Sequence, residues 1–140
     1  MVHIITDSST LITQDEAKEL GIDVLPLCVN IGDLEGRDLQ IDMRDFYERI
    51  EKGGIPRSSQ PPIGEVMEAY EKYPDAEIIN IAMADGLSGT YQSACGAREM
   101  VDNKERRIYC SQPLPGNIQH RWQRIPQSWQ GCCRRRLHPL

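Results

Sequence analysis

Strand-like and helix-like segments alternate along the first hundred residues, and that alternation limits the fold more than any other feature. Val2-His3-Ile4-Ile5-Thr6 is a short apolar run with strand character. Thr13-Gln14-Asp15-Glu16 is a capping box, so a helix follows Thr13, runs to Leu20 and stops at Gly21, a natural left-handed terminator. Val24 to Ile31 reads as one strand, with Pro26 marking an edge position or a bulge. Gly32 to Arg37 has turn chemistry, and Asp38-Leu39-Gln40-Ile41 reads as a short returning strand. Asp42 caps a second helix, Met43 to Lys52, whose Met43, Phe46, Tyr47 and Ile50 share a face expected in the core. Beyond Gly53-Gly54 a turn at Arg57-Ser58-Ser59-Gln60 leads to Pro61 and Pro62, which suit the first turn of a third helix. That helix presents Ile63, Val66, Met67, Tyr70 and Tyr73 on its apolar face, and Pro74-Asp75 ends it. Ile78 to Ala82 reads as a buried strand and Thr90 to Val101 as a fourth helix. Strands separated by helices predict an α/β fold, a parallel Rossmann-like layered sheet with helices on both faces.

Two loops carry the chemistry. Met83-Ala84-Asp85-Gly86-Leu87-Ser88-Gly89-Thr90 joins a strand end to a helix start, and its glycines and hydroxyls predict free N–H groups beside Ser88 and Thr90. The unpaired donors and the positive dipole end of a helix's first turn suit an anion. Arg57-Ser58-Ser59-Gln60 is expected to make the same kind of turn, and the two loops are expected to face one small ligand. Asp7 and Ser8, at the C-terminal end of the first strand, either line or brace that pocket or simply form an Asx or Ser turn.

Other chemistries fit less well. Gly86-Leu87-Ser88-Gly89-Thr90 approaches the G-x-S-x-G nucleophile elbow but has Thr90 in place of the last glycine. A serine hydrolase using Ser88 is the alternative reading, but it needs a histidine base. The histidines are His3, which starts a strand, and His120 and His138 near the C-terminus. No G-x-x-x-x-G-K-[ST] phosphate loop occurs. Five cysteines (Cys28, Cys95, Cys110, Cys132, Cys133) without a C-x-x-C pair argue against a disulfide framework or a zinc site.

Charge divides the chain. All 21 acidic residues lie at or before Glu105, against nine basic ones there. The remaining 35 residues hold seven arginines, no lysine and no acid, together with both tryptophans. A basic nucleic-acid-binding module is one reading of this tail. The acidic body repels phosphate, however, and the abrupt change of vocabulary reads better as a shifted reading frame than as a functional arm. No apolar run approaches the ~20 residues of a membrane span. Met1-Val2-His3 leads into a strand instead of a signal peptide, so the cytoplasm is the expected compartment.

Asp7-Ser8-Ser9-Thr10, Val24-Leu25-Pro26-Leu27, Phe46-Tyr47, Ser58-Ser59-Gln60-Pro61 and Gly86-Leu87-Ser88-Gly89-Thr90-Tyr91-Gln92-Ser93-Ala94 occur in that order. Together they resemble the DegV family of bacterial fatty-acid-binding proteins over about residues 2–110. The family usually has T-S-Q-P-S where this chain has Ser58-Ser59-Gln60-Pro61-Pro62, so Ser58 keeps one hydroxyl and Pro62 loses another.

The resemblance implies a long-chain fatty acid of the palmitate or oleate class, buried between an N-terminal parallel-sheet domain and a C-terminal α/β domain. Its carboxylate would be held by Ser58 and Ser88 and the Gly89 N–H, with Asp7, Ser8, Ser59, Gln60 and Thr90 in support. It further implies presentation of the acid to a separate fatty acid kinase, which makes an acyl phosphate that feeds phospholipid synthesis. The binding protein would have no catalytic residues, cofactor or metal of its own. After Ile108 the family pattern fades, which predicts a domain over 1–110, an atypical basic tail over 111–140 and no family C-terminal domain. Half a cleft should bind its ligand weakly or not at all, and its exposed face should favour self-association.

Overall fold

A computed structural model describes residues 1–101 and 107–112 of the chain. Its elements are β1 (Val2–Asp7), α1 (Gln14–Leu20), β2 (Asp23–Leu25), β3 (Cys28–Ile31), β4 (Leu34–Arg37) and α2 (Met43–Glu51). They continue with β5 (Arg57–Ser59), α3 (Ile63–Glu71), β6 (Glu77–Ile81), α4 (Thr90–Met100) and β7 (Ile108–Ser111). Four strands form a wholly parallel sheet in the order β2-β1-β6-β7. The fold is the expected α/β layered sheet. Right-handed crossovers put α1 on one face and α3 and α4 together on the other.

The capping box at Thr13 and Glu16 is formed, and Gly21 closes α1 in the left-handed region at φ 65°. The core lies between the sheet and the α3/α4 pair, where Ile5, Ile78 and Ile108 of the strands meet Val66, Ala69, Tyr70, Ala97 and Val101. One polar network is buried within it. Asn80 Nδ2 donates to the Tyr70 hydroxyl at 2.7 Å, and that hydroxyl donates to the Ala94 carbonyl at 3.2 Å. A buried hydroxyl without such partners would cost more than the hydrogen bonds return, so the network fixes how α3, α4 and β6 meet.

Four local expectations are corrected. Val24 to Ile31 is not one strand: β2 closes the parallel sheet, while β3 opens a separate antiparallel sheet of order β4-β3-β5. The break falls at Pro26-Leu27, where proline has no N–H and the Leu27 N–H is claimed by Ser8 Oγ at 3.1 Å. Gly32–Arg37 is not all turn; Gly32 and Asp33 form a two-residue hairpin loop and Leu34–Arg37 pairs back on β3. Asp38–Ile41 is not a strand, because the Gln40 and Ile41 N–H groups both turn back onto the Arg37 carbonyl. Arg57-Ser58-Ser59 is not a turn but the edge strand β5, with Ser58 opposite Val29 and Ser59 opposite Cys28.

The apolar face of α2 is a further correction. Met43, Tyr47 and Ile50 are 47%, 58% and 38% exposed, and no residue of the helix is buried. The α2 helix lies beside the small three-stranded sheet, away from the main core, so its amphipathic spacing finds no full partner surface among the described residues.

At the start of the sheet, His3 stacks on Tyr73 with ring centroids 3.6 Å apart and reaches Asp23 at 3.3 Å. Lys72 also donates to both Asp23 oxygens at 3.3 Å. Partial burial of Asp23 works against its charge, but hydrogen bonds from Tyr73, Lys72 and His3 outweigh it and hold the carboxyl below its ordinary 3.8. A depressed carboxyl contributes stability above its unfolded pKa that is lost as pH falls through the lower folded value. Asp23→Asn should therefore cost stability at neutral pH, with the deficit shrinking below pH 3.8. Urea titrations of both proteins across that range check this, and a deficit independent of pH would contradict it.

Candidate functional site

In the order β2-β1-β6-β7 the connection from β1 runs toward one edge and that from β6 toward the other. The crevice beyond the carboxyl ends of β1 and β6 is thus the topological switch point, where open α/β sheets bind ligands. Asp7, the last residue of β1, and the loop after β6 meet there. Asp7 Oδ2 accepts the Met83 N–H at 2.6 Å, while Oδ1 accepts the Ser9 N–H at 2.9 Å and the Ser9 hydroxyl. Asp7 is 2% exposed and Ser8 1%. Both brace instead of lining a pocket: Asp7 ties the two strand ends, and Ser8 holds the start of the excursion into β3 through Leu27. The Asx turn at Ser9 is also present, so one carboxylate serves both purposes.

The loop itself folds by local bonds. Leu87 and Ser88 donate their N–H groups to the Ala84 carbonyl at 2.9 and 3.1 Å. Thr90 donates its N–H to Ser88 Oγ at 3.3 Å, and the two side-chain hydroxyls lie 2.8 Å apart. Of the N–H groups at Ser88, Gly89 and Thr90, only that of Gly89 has no partner among the described residues. The anion recipe expected from the sequence is thereby narrowed to the Gly89 N–H and the Ser88 hydroxyl. Ser88 is half-buried and Thr90 is buried.

Ser58 and Ser59 are exposed on β5, and neither hydroxyl has a partner among the described residues. The link to the other loop is Gln60. Its side-chain amide lies so close to Gly89 that a Cβ there would come within 3.2–3.3 Å of Oε1, Cδ and Nε2. Glycine at this position lets the end of the Gln60 side chain rest there without having to shift. Gln60 is held in turn from behind: its carbonyl accepts from Cys28 Sγ at 3.5 Å, Arg37 contacts that sulfur, and Arg37 also pairs with Glu65 at the start of α3. Sequence reasoning missed this Arg37–Glu65 brace. The two residues are 28 positions apart, and only the β3–β4 hairpin brings Arg37 opposite Cys28.

The remaining expectations are easily placed. Ser88 has no histidine beside it among the described residues, since His3 is engaged by Asp23 and Tyr73 at the other end of the sheet. His120, His138 and six of the seven arginines of the tail lie outside the described residues, as does the expected tail over 111–140 beyond Gln112, while Arg107 pairs with Glu77 at 3.0 Å. No group of three metal-ligating side chains occurs among the described residues, and no described helix is long and apolar enough to cross a membrane. A cleft of 540 Å³ runs along β2 between α1 and α3, lined by Gln14, Lys18, Asp23, Leu25, Glu68 and Lys72 among others. None of the expected ligand residues borders it.

Removing the buried Asp7 carboxylate leaves the half-buried Met83 N–H and the exposed Ser9 N–H without their acceptor. Asp7→Ala should cost about 2–3 kcal/mol of unfolding free energy, as for hydrogen bonds to a charged group. Chemical denaturation measures it, and a loss below half a kcal/mol would refute the bracing role.

Comparison with known proteins agrees with the fold. A family model described as "Uncharacterised protein, DegV family" matches residues 1–114. Protein DegV of Bacillus subtilis is 37% identical over 107 residues, which is 73% of this chain and 38% of that protein. The DegV domain-containing 15.5 kDa protein of Staphylococcus aureus is 38% identical over 102 residues, 71% of this chain and 73% of that protein. Among solved structures, a DegV family protein from Thermus thermophilus described by its fatty acid binding superposes with a TM-score of 0.69 at 28% identity. The match covers 79% of this chain and 40% of that one. DegV of B. subtilis, described as a fatty acid binding protein, gives a TM-score of 0.68 at 32% identity, covering 79% and 42%. The chain thus spans about two fifths of the length of B. subtilis DegV and about three quarters of the S. aureus protein.

Proposed function

Because the chain belongs to the DegV family, we propose that it is the head-group half of a long-chain fatty-acid-binding site. The carboxylate rests on the Ser58 and Ser88 hydroxyls and the Gly89 N–H, and Asp7, Ser8, Ser59, Gln60 and Thr90 hold those groups in place. Its ligand is of the palmitate or oleate class. In the cytoplasm it presents the carboxylate to a fatty acid kinase and performs no chemistry itself. The unit that binds is residues 1–110, with the basic segment from 111 onward outside it.

The observation that carries this reading is the packing of Gln60 on Gly89, which sets the two hydroxyl-bearing segments side by side. The bonding of Ser88 points the same way. With the Thr90 hydroxyl as donor, Ser88 Oγ accepts from both the N–H and the hydroxyl of Thr90, so its own proton is left to donate outward. A donor-only hydroxyl beside a free N–H suits a carboxylate. A nucleophile requires the opposite, a base to take the serine proton.

Magnitudes divide the labour. Ten buried methylenes at about 0.8 kcal/mol each offer roughly 8 kcal/mol before ordering costs. Each charge-assisted hydrogen bond to the head group adds about 1.5–3 kcal/mol. The acyl chain supplies most of the affinity, while the loops orient the head and leave it accessible to the kinase.

This chain should bind palmitate or oleate weakly, because the described residues offer one wall for the acyl chain. Isothermal titration should give affinity no tighter than micromolar, weakened about tenfold or more by Ser58→Ala or Ser88→Ala. Nanomolar affinity would overturn the half-cleft expectation, and an affinity indifferent to both serines would overturn the site.

The sheet face opposite α3 and α4 leaves Ile81 and Tyr109 about two fifths exposed, and Leu87 of the loop that follows β6 is exposed as well. Such a patch favours self-association. Sedimentation equilibrium should show reversible dimers or larger species at high concentration, reduced by Leu87→Ser. A monomer throughout would count against the patch.

A further inference from the structure

We propose that the open edge of β2 is a peptide-docking site, a groove that takes a short basic segment of another protein as an added strand. The inference is independent of the fatty-acid reading, since none of the expected ligand residues borders the groove. The β2 strand ends the parallel sheet and pairs on one side only, with Asp23, Val24 and Leu25 opposite Ile5, Thr6 and Asp7 of β1. Beyond that ladder the backbone of Asp23–Leu25 makes no hydrogen bond among the described residues. In a strand paired on one side, alternate residues aim N–H and C=O outward, and such an edge is a template for a further strand. Sheet edges are commonly blunted by a covering helix or loop. Here the 540 Å³ cleft lies along the edge instead, lined by β2, by α1 and by α3. Helices on opposite faces of a sheet can share a cleft only around its edge. Each helix brings a short buried side chain to the lining, Ala17 from α1 and Ala69 from α3. A longer side chain at either position would roof the strand, whereas alanine leaves room for an extended chain beside it.

Charge selects the occupant. Of the charged side chains in the lining, Lys72 is held by Asp23 at 3.3 Å, Lys18 by Asp15 at 3.5 Å, and Glu65 by Arg37. Glu68 alone has no ion-pair partner among the described residues. On the same two helices Glu19 and Glu71 are also exposed and unpaired among the described residues. The unspent charge around the groove is therefore negative, which suits lysine or arginine on the incoming strand. A second copy of this chain is a poor occupant, because a two-fold pairing of β2 with β2 would set one acidic rim against the other. Main-chain hydrogen bonds to β2 supply the affinity, and Glu68 supplies the choice of partner.

A suitable probe is fluorescein-Lys-Val-Lys-Val-Lys-Val-amide, titrated with the full chain and followed by fluorescence anisotropy. Saturable binding on the order of 100 μM is expected. Glu68→Lys, a change at an exposed position, should weaken it about tenfold, and a probe with glutamate in place of lysine should not bind. Two further probes separate strand addition from plain charge attraction: one carries N-methyl groups on its lysines, the other on its valines. Only one of these alternate sets can face β2, so one probe should lose binding about tenfold while the other keeps it. Hydrogen exchange should slow across residues 22–25 when the parent probe is bound and stay unchanged in the Ser88 loop. Equal binding of the two methylated probes would overturn the proposal, as would undiminished binding by Glu68→Lys or protection confined to other segments. Protection of 22–25 that rises with protein concentration in the absence of any probe would overturn it in favour of a second copy.

Discussion

A single carboxylate holds the crevice together. Asp7 ends β1, and across the switch point the chain leaves β6 at Met83; the 2.6 Å bond between them spans 76 residues of sequence. Asp7 is buried, and a buried carboxylate needs donors such as the Met83 and Ser9 N–H groups to offset its desolvation. With Met83 fixed, the loop that follows has only six residues, 84–89, in which to reach the start of α4 at Thr90. Its two bonds onto Ala84 and the Ser88–Thr90 pair then shape it.

That shape bears directly on chemistry. A strand-to-helix turn rich in serine and glycine is equally a nucleophile elbow, a phosphate cradle or a carboxylate rest when read as letters. The hydrogen bonds separate these. Ser88 Oγ accepts the Thr90 N–H and shares a hydrogen bond with the Thr90 hydroxyl, the N–H of Ser88 is consumed within the turn, and the Gly89 N–H has no partner among the described residues. Such a site offers a donor to an anion, and among the described residues no histidine stands beside Ser88 to take its proton. The contact from Gln60 adds a second wall, supported at its back by Cys28, Arg37 and Glu65.

The two faces of the parallel sheet are unequally finished. On the α3/α4 side, Ile5, Tyr70, Ile78 and Ala97 are sealed, and the Tyr70 hydroxyl there both accepts from Asn80 and donates to Ala94. Toward the other side Ile81 and Tyr109 remain partly open. The α2 helix shows the same incompleteness: its Met43, Tyr47 and Ile50 stripe has the periodicity of a core face yet stays exposed. Periodicity reports that a face seeks cover, not whether the described residues supply it.

Much of the architecture was readable from local chemistry alone. The Thr13 capping box with its Gly21 stop, the Asp42 cap, the apolar face of α3 and the strand–loop–helix unit around Ser88 all depend on neighbours a few residues apart, where short-range sterics and hydrogen bonds decide. The order of the motifs was equally legible and led to the correct family. Only the tertiary structure could decide the rest. That Val24–Ile31 divides between two sheets depends on Ser8 taking the Leu27 N–H, and that Ser58 lies on a strand depends on pairing with Val29. That Gln60 packs against Gly89 is likewise a contact across 29 positions, and that Asp7 accepts from Met83 is a hydrogen bond across 76. Partners so far apart leave no periodicity in the sequence, because only the closed sheet brings them within reach of one another.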